Sequence, residues 1–436
     1  MGKGEKLIKA AFAVIVAALA AAVLIVPGQE PPLPGAVAAV DPPSVAVCPV
    51  DEGSGRNTTI GIASGINGQG RFTAFAGGVS AGSTEFSTGA SGSAAIPLAD
   101  VAPVGTAAGL AELPGPEVAA ASLLLSAETV AVETCVNTPI QQTLLAGGST
   151  ISGEEYQVQL MNPYAGEAVV DLVVYSESGL ESIPQLRGIS VPSRSSVLTD
   201  LSELLPGRES LAITVQVVSG SVMAAGRFGV GADVALWHSV PPALDWYVPV
   251  PATGIGGEIV VSTGVGAEVA FQVDVYGPEG LVEAFQDGVV PARGTTVVPL
   301  ADLGLESASA VRVISTQPVG VFLRSVAETG AAITSGSSVS AARWLLPGAG
   351  LAPGSTGSAV VLNAGLEEAT VVVTALRDQS VANEYPVPAG TVLEVPAVEG
   401  GANAYTVKGE GSLVPMWVTT TPTGSAYSIG VPLLDE

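Results

Sequence analysis

The sequence predicts an all-β protein, in which four tandem β-sandwich units of the immunoglobulin or fibronectin type follow one N-terminal transmembrane helix. Three observations predict this fold. A set of landmarks recurs four times at a period of about 100 residues, the segments between landmarks alternate apolar and polar residues, and turn-forming residues interrupt the chain roughly every 8 to 12 residues. The 436 residues include 54 Gly and 32 Pro, which suits a chain of many short strands and turns.

The N-terminal segment is typical of an export signal. Residues 1–9 form a basic tip, residues 10–26 an unbroken apolar run, and residues 27–43 a proline-rich spacer. The run exceeds the usual signal-peptide core of about 7 to 15 residues and approaches the roughly 20 that a membrane span needs. The nearby A-x-A motif, at 36–38, lies well past the run. We therefore predict an uncleaved signal anchor at the cell membrane, with the basic tip in the cytoplasm and everything after Pro27 outside the cell. Secretion after cleavage is the alternative.

The chain beyond the apolar run is strongly acidic. The formal net charge is -25 at pH 7, and Lys408 is the one lysine after residue 9. An acidic surface repels phosphate backbones, so nucleic acid is excluded as a partner. Hydrophobic residues make up 47% of the chain, which is enough to build several packed cores.

Three landmarks define the repeating unit. The first is a strand that ends in a bulky residue before a turn, at Phe75, Tyr175, Tyr276 and Leu376. The second is a stretch resembling PLAD, aligned at Pro97, Asp200, Pro299 and Pro396. The third is predicted to be a hairpin, with turns that start near Ser126, Ser219, Ser315 and Gly409. Together they predict units at 44–142, 143–245, 246–343 and 344–436.

Each unit is predicted to consist of strands. In the third unit the apolar residues of one strand alternate with their neighbours, at Val269, Phe271, Val273 and Val275, and this period of two is typical of a strand with one buried face. About seven short strands in roughly 100 residues fit a β-sandwich. The strands of all four units together could instead form the seven four-stranded blades of a β-propeller. Propeller blades, however, would repeat at a period nearer 50 residues.

The two cysteines, Cys48 and Cys135, both follow the apolar run. In an exported chain such a pair predicts a structural disulfide. The sequence has no C-x-x-C motif and no Cys/His cluster, so we predict neither a metal site nor a cofactor.

One motif suggests catalysis. Residues 78–82, GVSAG, match the G-x-S-x-G pattern that surrounds a nucleophilic serine in α/β-hydrolases. The equivalent stretches of the other units are ordinary turns, and the residues after Ser80 cannot form the helix that this motif requires. The single histidine, His238, lies in another unit. We predict no catalytic residue and no enzymatic activity. A serine esterase built on Ser80 and His238 is the least favoured of the three functions that we consider, and the other two follow below.

The combination of a basic tip, one Ala/Val-rich anchor, a Pro-rich spacer and an acidic, lysine-poor β-repeat region resembles a family of uncharacterised, membrane-anchored envelope proteins of high-GC Gram-positive bacteria (actinobacteria). The stretches VDVYGPEG and VVPLADLG are the most specific part of that resemblance. It implies a location in the cell envelope and supplies no catalytic residues. We therefore predict a non-enzymatic scaffold or protein-interaction module. A module that binds cell-wall polysaccharide is the second hypothesis.

Overall fold

The computed structural model describes residues 44–50, 57–76, 79–88, 92–102, 108–126, 128–137, 139–327, 330–348, 355–376, 381–397, 404–422 and 424–433. These residues belong to one compact unit, and their regular secondary structure is nearly all β-strand. Helix among them is confined to α1 (Leu201–Leu204) and a few short 3₁₀ turns. The all-β prediction is confirmed. The predicted tip, anchor and spacer, residues 1–43, lie outside the described residues.

The first unit is a two-sheet sandwich. Its strands are β1 (Ser44–Pro49), β2 (Asn57–Ser64), β3 (Gln69–Ala76), β4 (Val79–Ser87), β5 (Ser93–Pro97), β6 (Ala108–Leu113), β7 (Val118–Leu125) and β8 (Val130–Thr134). The sheet orders are β1-β6-β3-β4 and β5-β2-β7-β8. Ile60, Phe72 and Leu113 pack in one core between the two sheets, because alternate side chains of every strand point to the same inner face.

The second unit repeats this arrangement. Its strands are β9 (Gln142–Gly148), β10 (Glu154–Asn162), β11 (Ala168–Ser176), β12 (Gly179–Leu180), β13 (Ile189–Val191), β14 (Ser195–Asp200), β15 (Leu211–Ser219), β16 (Met223–Val230) and β17 (Asp233–His238). The sheet orders are β12-β11-β15-β9 and β14-β10-β16-β17. Helix α1 follows β14 because the Asp200 side chain accepts a hydrogen bond from the Ser202 N–H at 2.9 Å, as an N-cap does.

In the third and fourth units one long strand serves both sheets. The third unit contains β18 (Ala243–Val250), β19 (Glu258–Thr263), β20 (Val269–Gly277), β21 (Gly280–Val290), β22 (Gly294–Pro299), β23 (Ser309–Ala327) and β24 (Gly330–Ser335). The fourth contains β25 (Ala341–Pro347), β26 (Thr356–Asn363), β27 (Ala369–Leu376), β28 (Val381–Val387), β29 (Val392–Pro396), β30 (Ala404–Thr421), β31 (Gly424–Ile429) and β32 (Val431–Pro432). The first half of β23 pairs with β18 and β20, and its second half pairs with β19 and β24.

The first two landmarks mark equivalent positions in all four units. Each bulky residue is the last or next-to-last residue of the third strand and lies opposite an alanine, in the pairs Phe75↔Ala108, Tyr175↔Ala212, Tyr276↔Ala310 and Leu376↔Ala404. Each residue of the second landmark is the last residue of its strand, in β5, β14, β22 and β29. Identical register at both landmarks confirms the fourfold repeat.

The third landmark was wrongly aligned. A hairpin exists at Ser126, between β7 and β8, but Ser219 ends β15 before the chain changes sheet, and Ser315 and Gly409 lie inside β23 and β30. In the second, third and fourth units the chain crosses from one sheet to the other at this point. The sequence therefore shows two successive apolar runs, which is the same pattern that a hairpin gives. The predicted unit boundaries are also displaced, because they fall inside β9, β18 and β25, the first strands of the following units.

The last strand of each of the first three sandwiches, β8, β17 and β24, and its counterpart β31 in the fourth are called exit strands. Exit strand β8 contacts β17, β17 contacts β24, β24 contacts β31, and β31 contacts β8. The four sandwiches therefore close a ring around a common axis. The tandem units are not arranged in a row, and the alternative of a seven-bladed propeller is wrong, because the strands belong to four sandwiches and not to seven separate four-stranded blades.

Alanine occupies the same exit-strand position in every unit. The four residues are Ala131, Ala235, Ala332 and Ala426, and all are buried. A void of only about 10 Å³ remains beside them. Ala131 packs against Val234 and Leu236 of the second unit. A short side chain at this position lets the four strands approach the axis together.

We expect Ala235→Leu to lower the free energy of unfolding by about 1–3 kcal/mol, because the axis has no room for three further carbons. Ala270→Leu is the matched control, since Ala270 is an exposed alanine in β20, where the change should stay within about 0.5 kcal/mol. Urea unfolding of both variants measures the difference. Equal unfolding curves would show that the axis is not tightly packed.

Candidate functional site

The main candidate site is a pocket at one end of the ring axis, here called the axial pocket. It has a volume of about 270 Å³. All four units contribute the chain at the end of their exit strands, which is residues 134–137, 238–241, 335–339 and 429–432. Because every unit directs the same strand end to the axis, the pocket is a product of the ring.

The same backbone hydrogen bond fixes the pocket wall in each unit. The residue after the exit strand donates its N–H to a carbonyl of the neighbouring strand, in the pairs Cys135 to Ala120 (2.9 Å), Ser239 to Ala224 (2.9 Å), Gly336 to Val321 (2.9 Å) and Gly430 to Pro415 (3.2 Å). The backbone of the wall is therefore repeated four times. The side chains on it are not, so the chemistry of the pocket is asymmetric.

The predicted disulfide forms part of this wall. Cys48 and Cys135 are bonded, and Cys135 lines the pocket. The disulfide prediction is confirmed. The bond joins β1 to the end of β8, so it holds the first unit's strand end beside the axis.

His238 and Glu133 meet across the interface between the first and second units. The imidazole Nδ1 contacts Glu133 Oε1, and the His238 backbone N–H donates to the same oxygen at 3.3 Å. Glu133 is 1% exposed and His238, which lines the pocket, is 22% exposed at its side chain. Because the carboxylate engages Nδ1, Nε2 is the ring nitrogen that remains for another partner.

The sequence alone does not predict a role for Glu133. It lies in β8 two residues after the axial alanine, at the position that Trp237 occupies in β17. Its Oε2 atom is buried and has no hydrogen-bond partner among the described residues. A single acid in the otherwise apolar run TVAVET was the available signal. Only the ring shows that this acid faces the one histidine.

Hydroxyl groups complete the polar part of the pocket. Thr143 Oγ1 donates to Ser239 Oγ at 2.9 Å, and Ser337 Oγ donates to the Val339 carbonyl at 2.7 Å. Thr134 and Ser335 line the pocket at the position equivalent to His238. Apolar side chains, including Ile140 and Val240, fill the spaces between these groups.

The structure does not bring Ser80 to His238. Ser80 is exposed on β4, the edge strand of the first sheet, opposite Phe75. Strand β4 continues to Ser87, whereas a nucleophile elbow needs a turn into a helix directly after the serine. The hydrogen-bond partner of the His238 ring is Glu133.

A second buried carboxylate lies at the opposite end of the exit strands. Asp233 is 2% exposed and accepts a hydrogen bond from the Ala331 N–H of the third unit at 2.9 Å. Burial raises the pKa of Asp233 to about 6, and neighbouring donors, the Ala331 N–H first among them, offset burial only in part. A carboxyl group with a raised pKa binds its proton more tightly in the folded state than in the unfolded state.

We therefore expect Asp233 to make stability depend on pH. Its contribution is fully present below about pH 4 and is lost as the pH rises through about 6, so the charged form destabilises the ring at neutral pH. Asp233→Asn keeps an acceptor for the Ala331 N–H and cannot ionise. Urea unfolding of both proteins at pH 4.5 and 7.5 should show the variant gaining stability relative to the parent at the higher pH. A difference that is independent of pH would contradict this assignment.

Two kinds of feature are absent from the described residues. Among the described residues, no group of three or more His, Cys, Asp or Glu side chains is arranged to hold a metal ion. Within the same part of the chain, no helix is long and apolar enough to cross a membrane.

Residues 126–398, more than half of the chain, match a family of unknown function (DUF5719). The chain belongs to this family. No curated protein matches the chain. The family assigns no chemistry to the axial pocket.

Two solved structures resemble the chain weakly. One is a tetra-tandem repeat in the extending region of a large adhesion protein, with 11% identity and a TM-score of 0.11, covering 88% of this chain and 97% of that chain. The other is a pair of B repeat units of the collagen binding protein of Staphylococcus aureus, with 8% identity and a TM-score of 0.09, covering 88% of this chain and 98% of that chain. Neither TM-score supports a statement about the fold or function of this member of the family.

Proposed function

We propose that this protein is a non-enzymatic interaction module of the cell envelope, anchored in the membrane by residues 10–26, that presents the axial pocket to a partner outside the cell. The observation that carries the proposal is the construction of the pocket. Four separate chain segments, one from each unit, converge on it, and concave sites of this kind on a packed scaffold are typical of binding.

The rest of the molecule supports a scaffold. The exit strands and the sheet faces beside them are buried in contacts between units, so the ring can hold the pocket in one geometry without a ligand. The acidic net charge of -25 keeps anionic surfaces away. An envelope protein and a cell-wall glycan are both compatible partners for the pocket. The membrane is a third partner, which the chain contacts through its anchor.

Site-specific photo-crosslinking of the full chain in cell membranes tests this function. The crosslinking residue replaces Val339, which is exposed and lines the pocket. The control replaces Val218, which is 63% exposed in β15 and lies outside the pocket. We expect a discrete adduct from position 339 alone, and digestion of the adduct by protease or by glycan hydrolase gives the class of the partner. The same adducts from both positions, or none from position 339, would contradict the proposal.

A further inference from the structure

We propose that the axial pocket binds one uncharged sugar ring, that His238 Nε2 accepts a hydrogen bond from a sugar hydroxyl, and that Glu133 is the positioning residue for the imidazole. This inference rests on the proposed function, because it names the ligand class for the same pocket. The size, polarity and charge of the pocket and the geometry of the histidine each restrict the class of ligand that fits.

The pocket has the size of a single ring. Its volume of about 270 Å³ falls just below the range of roughly 300–1,000 Å³ found for sites that enclose drug-sized ligands. Exposed residues, including Asn137, Pro241 and Val339, form part of its lining. One unit of a longer chain can therefore enter while the rest of that chain remains outside.

The lining alternates hydroxyl groups with apolar side chains. Thr134, Ser335 and Ser338 supply hydroxyls, which can both donate and accept hydrogen bonds. Ile140, Val240 and neighbouring apolar residues lie between them. A sugar ring has the same two features, hydroxyls around its edge and apolar C–H groups on its faces. Thr134 Oγ1 already donates to Glu133 Oε1 at 3.5 Å, so a purely apolar ligand would cost free energy mainly at the hydroxyls of Ser335 and Ser338.

Charge excludes ionised ligands. None of the described residues that line the pocket is Asp, Glu, Lys or Arg. A carboxylate or phosphate would enter without a lysine or arginine partner and against a net charge of -25. An ammonium group would find no carboxylate in the lining, because Glu133 is buried behind His238 and engages its ring. A ligand without net charge avoids both penalties.

Glu133 determines which nitrogen the histidine offers. Its Oε1 atom receives both the Nδ1 contact and the backbone N–H of His238. A neutral imidazole whose Nδ1–H donates to a carboxylate has an unprotonated Nε2, which accepts hydrogen bonds. In the neutral tautomer whose Nδ1–H donates to Glu133, the ring therefore presents an acceptor beside hydroxyls that can donate or accept.

The histidine provides its own probe. Because the chain contains one histidine, ¹³C,¹⁵N-histidine labelling of the full chain, purified with a histidine-free tag, gives the NMR signals of a single imidazole. The probes are glucose, galactose, mannose, arabinose, N-acetylglucosamine, glucosamine and glucuronate. We expect at least one uncharged sugar to shift the ring signals with a Kd of about 1–10 mM, which corresponds to roughly 3–4 kcal/mol. Glucuronate and glucosamine should cause no saturable shift.

Two variants separate binding from folding. Val339→Trp fills the pocket entrance, and Val218→Trp adds the same side chain at an exposed position elsewhere; we expect the first to abolish the shift and the second to leave it unchanged. His238→Asn keeps a donor for Glu133 and lacks Nε2. Saturation-transfer NMR should show sugar binding at least 10-fold weaker in that variant, with the unfolding temperature unchanged.

The outcomes are distinct. A lack of saturable shifts with all uncharged sugars, or equal shifts in Val339→Trp, would overturn the sugar assignment. A protein adduct from position 339 would then still support the interaction module. An uncharged sugar that binds the parent and His238→Asn equally would remove His238 from the site. If neither sugars nor crosslinks report on the pocket, the proposed function fails as well.

Discussion

Arg324→Met should lower the free energy of unfolding by about 3 kcal/mol at pH 8, because it removes the cation between two shielded carboxylates. Arg324 Nη1 donates to Glu258 Oε1 at 2.6 Å, and Nη2 lies 3.8 Å from Glu154 Oε2. The arginine side chain is 15% exposed and that of Glu154 is 12% exposed. Its guanidinium also lies 5.6 Å from the centre of the Phe228 ring. Arg324 and Glu258 belong to the third unit, and Glu154 and Phe228 belong to the second.

The pH dependence of this loss identifies its cause. Burial raises the pKa of Glu154, Arg324 lowers it in part, and Glu258 raises it. Without the arginine the pKa of Glu154 should rise further, so protonation relieves the strain at low pH and the loss should be smaller at pH 5 than at pH 8. Urea unfolding of the parent and of Arg324→Met at both pH values measures this loss of stability.

The matched control is Arg71→Met. Arg71 pairs with Glu85 at 3.3 Å, but the two side chains are 54% and 78% exposed. An exposed pair contributes about 0–1 kcal/mol. Similar losses in the two variants would show that Arg324 does not stabilise the contact between units.

The double variant Cys48→Ala, Cys135→Ala should be less stable than the parent by about 4 kcal/mol, because the bond closes a long loop. The two cysteines are 87 residues apart in the chain. The bond spans the whole first unit, from its first strand to the end of its exit strand, and it restricts the unfolded chain accordingly. Urea unfolding of parent and variant measures the loss.

Reduction provides the control for this prediction. A thiol reductant should bring the parent close to the double variant and should leave the double variant unchanged. Loss of the disulfide should also weaken sugar binding, since Cys135 lines the axial pocket. A variant as stable as the parent would mean that contacts between units alone hold the end of β8 in place.

Most strands could be predicted from the sequence. Their signals are local, as in β20, where Val269, Phe271, Val273 and Val275 are all buried. Asp274 and Tyr276 occupy the positions that the alternation predicts to be exposed, yet both are buried. The pattern within one strand cannot show which other parts of the protein cover the second face of its sheet. The misaligned third landmark has a similar cause. A strand that changes sheets has the same apolar pattern as two strands joined by a turn.

The candidate site was less predictable. Cys48 and Cys135 could be paired because no other cysteine exists. The sequence suggests His238 only as a partner for Ser80 and suggests no role for Glu133. The two lie 105 residues apart in the chain and meet because β8 and β17 are adjacent at the axis, which no local pattern encodes.

The sequence by itself determined the all-β class, the fourfold repeat and the disulfide pair, since each depends on residue type and spacing along the chain. The tertiary structure alone decided that the units close a ring, that Arg324 joins two of them, and that Glu133 and His238 meet beside a pocket. These features depend on how side chains of different units fit together. The recurring alanine of the exit strands illustrates the difference. In the sequence it is one small residue among many, and in the ring it is the residue that lets four strands reach one axis.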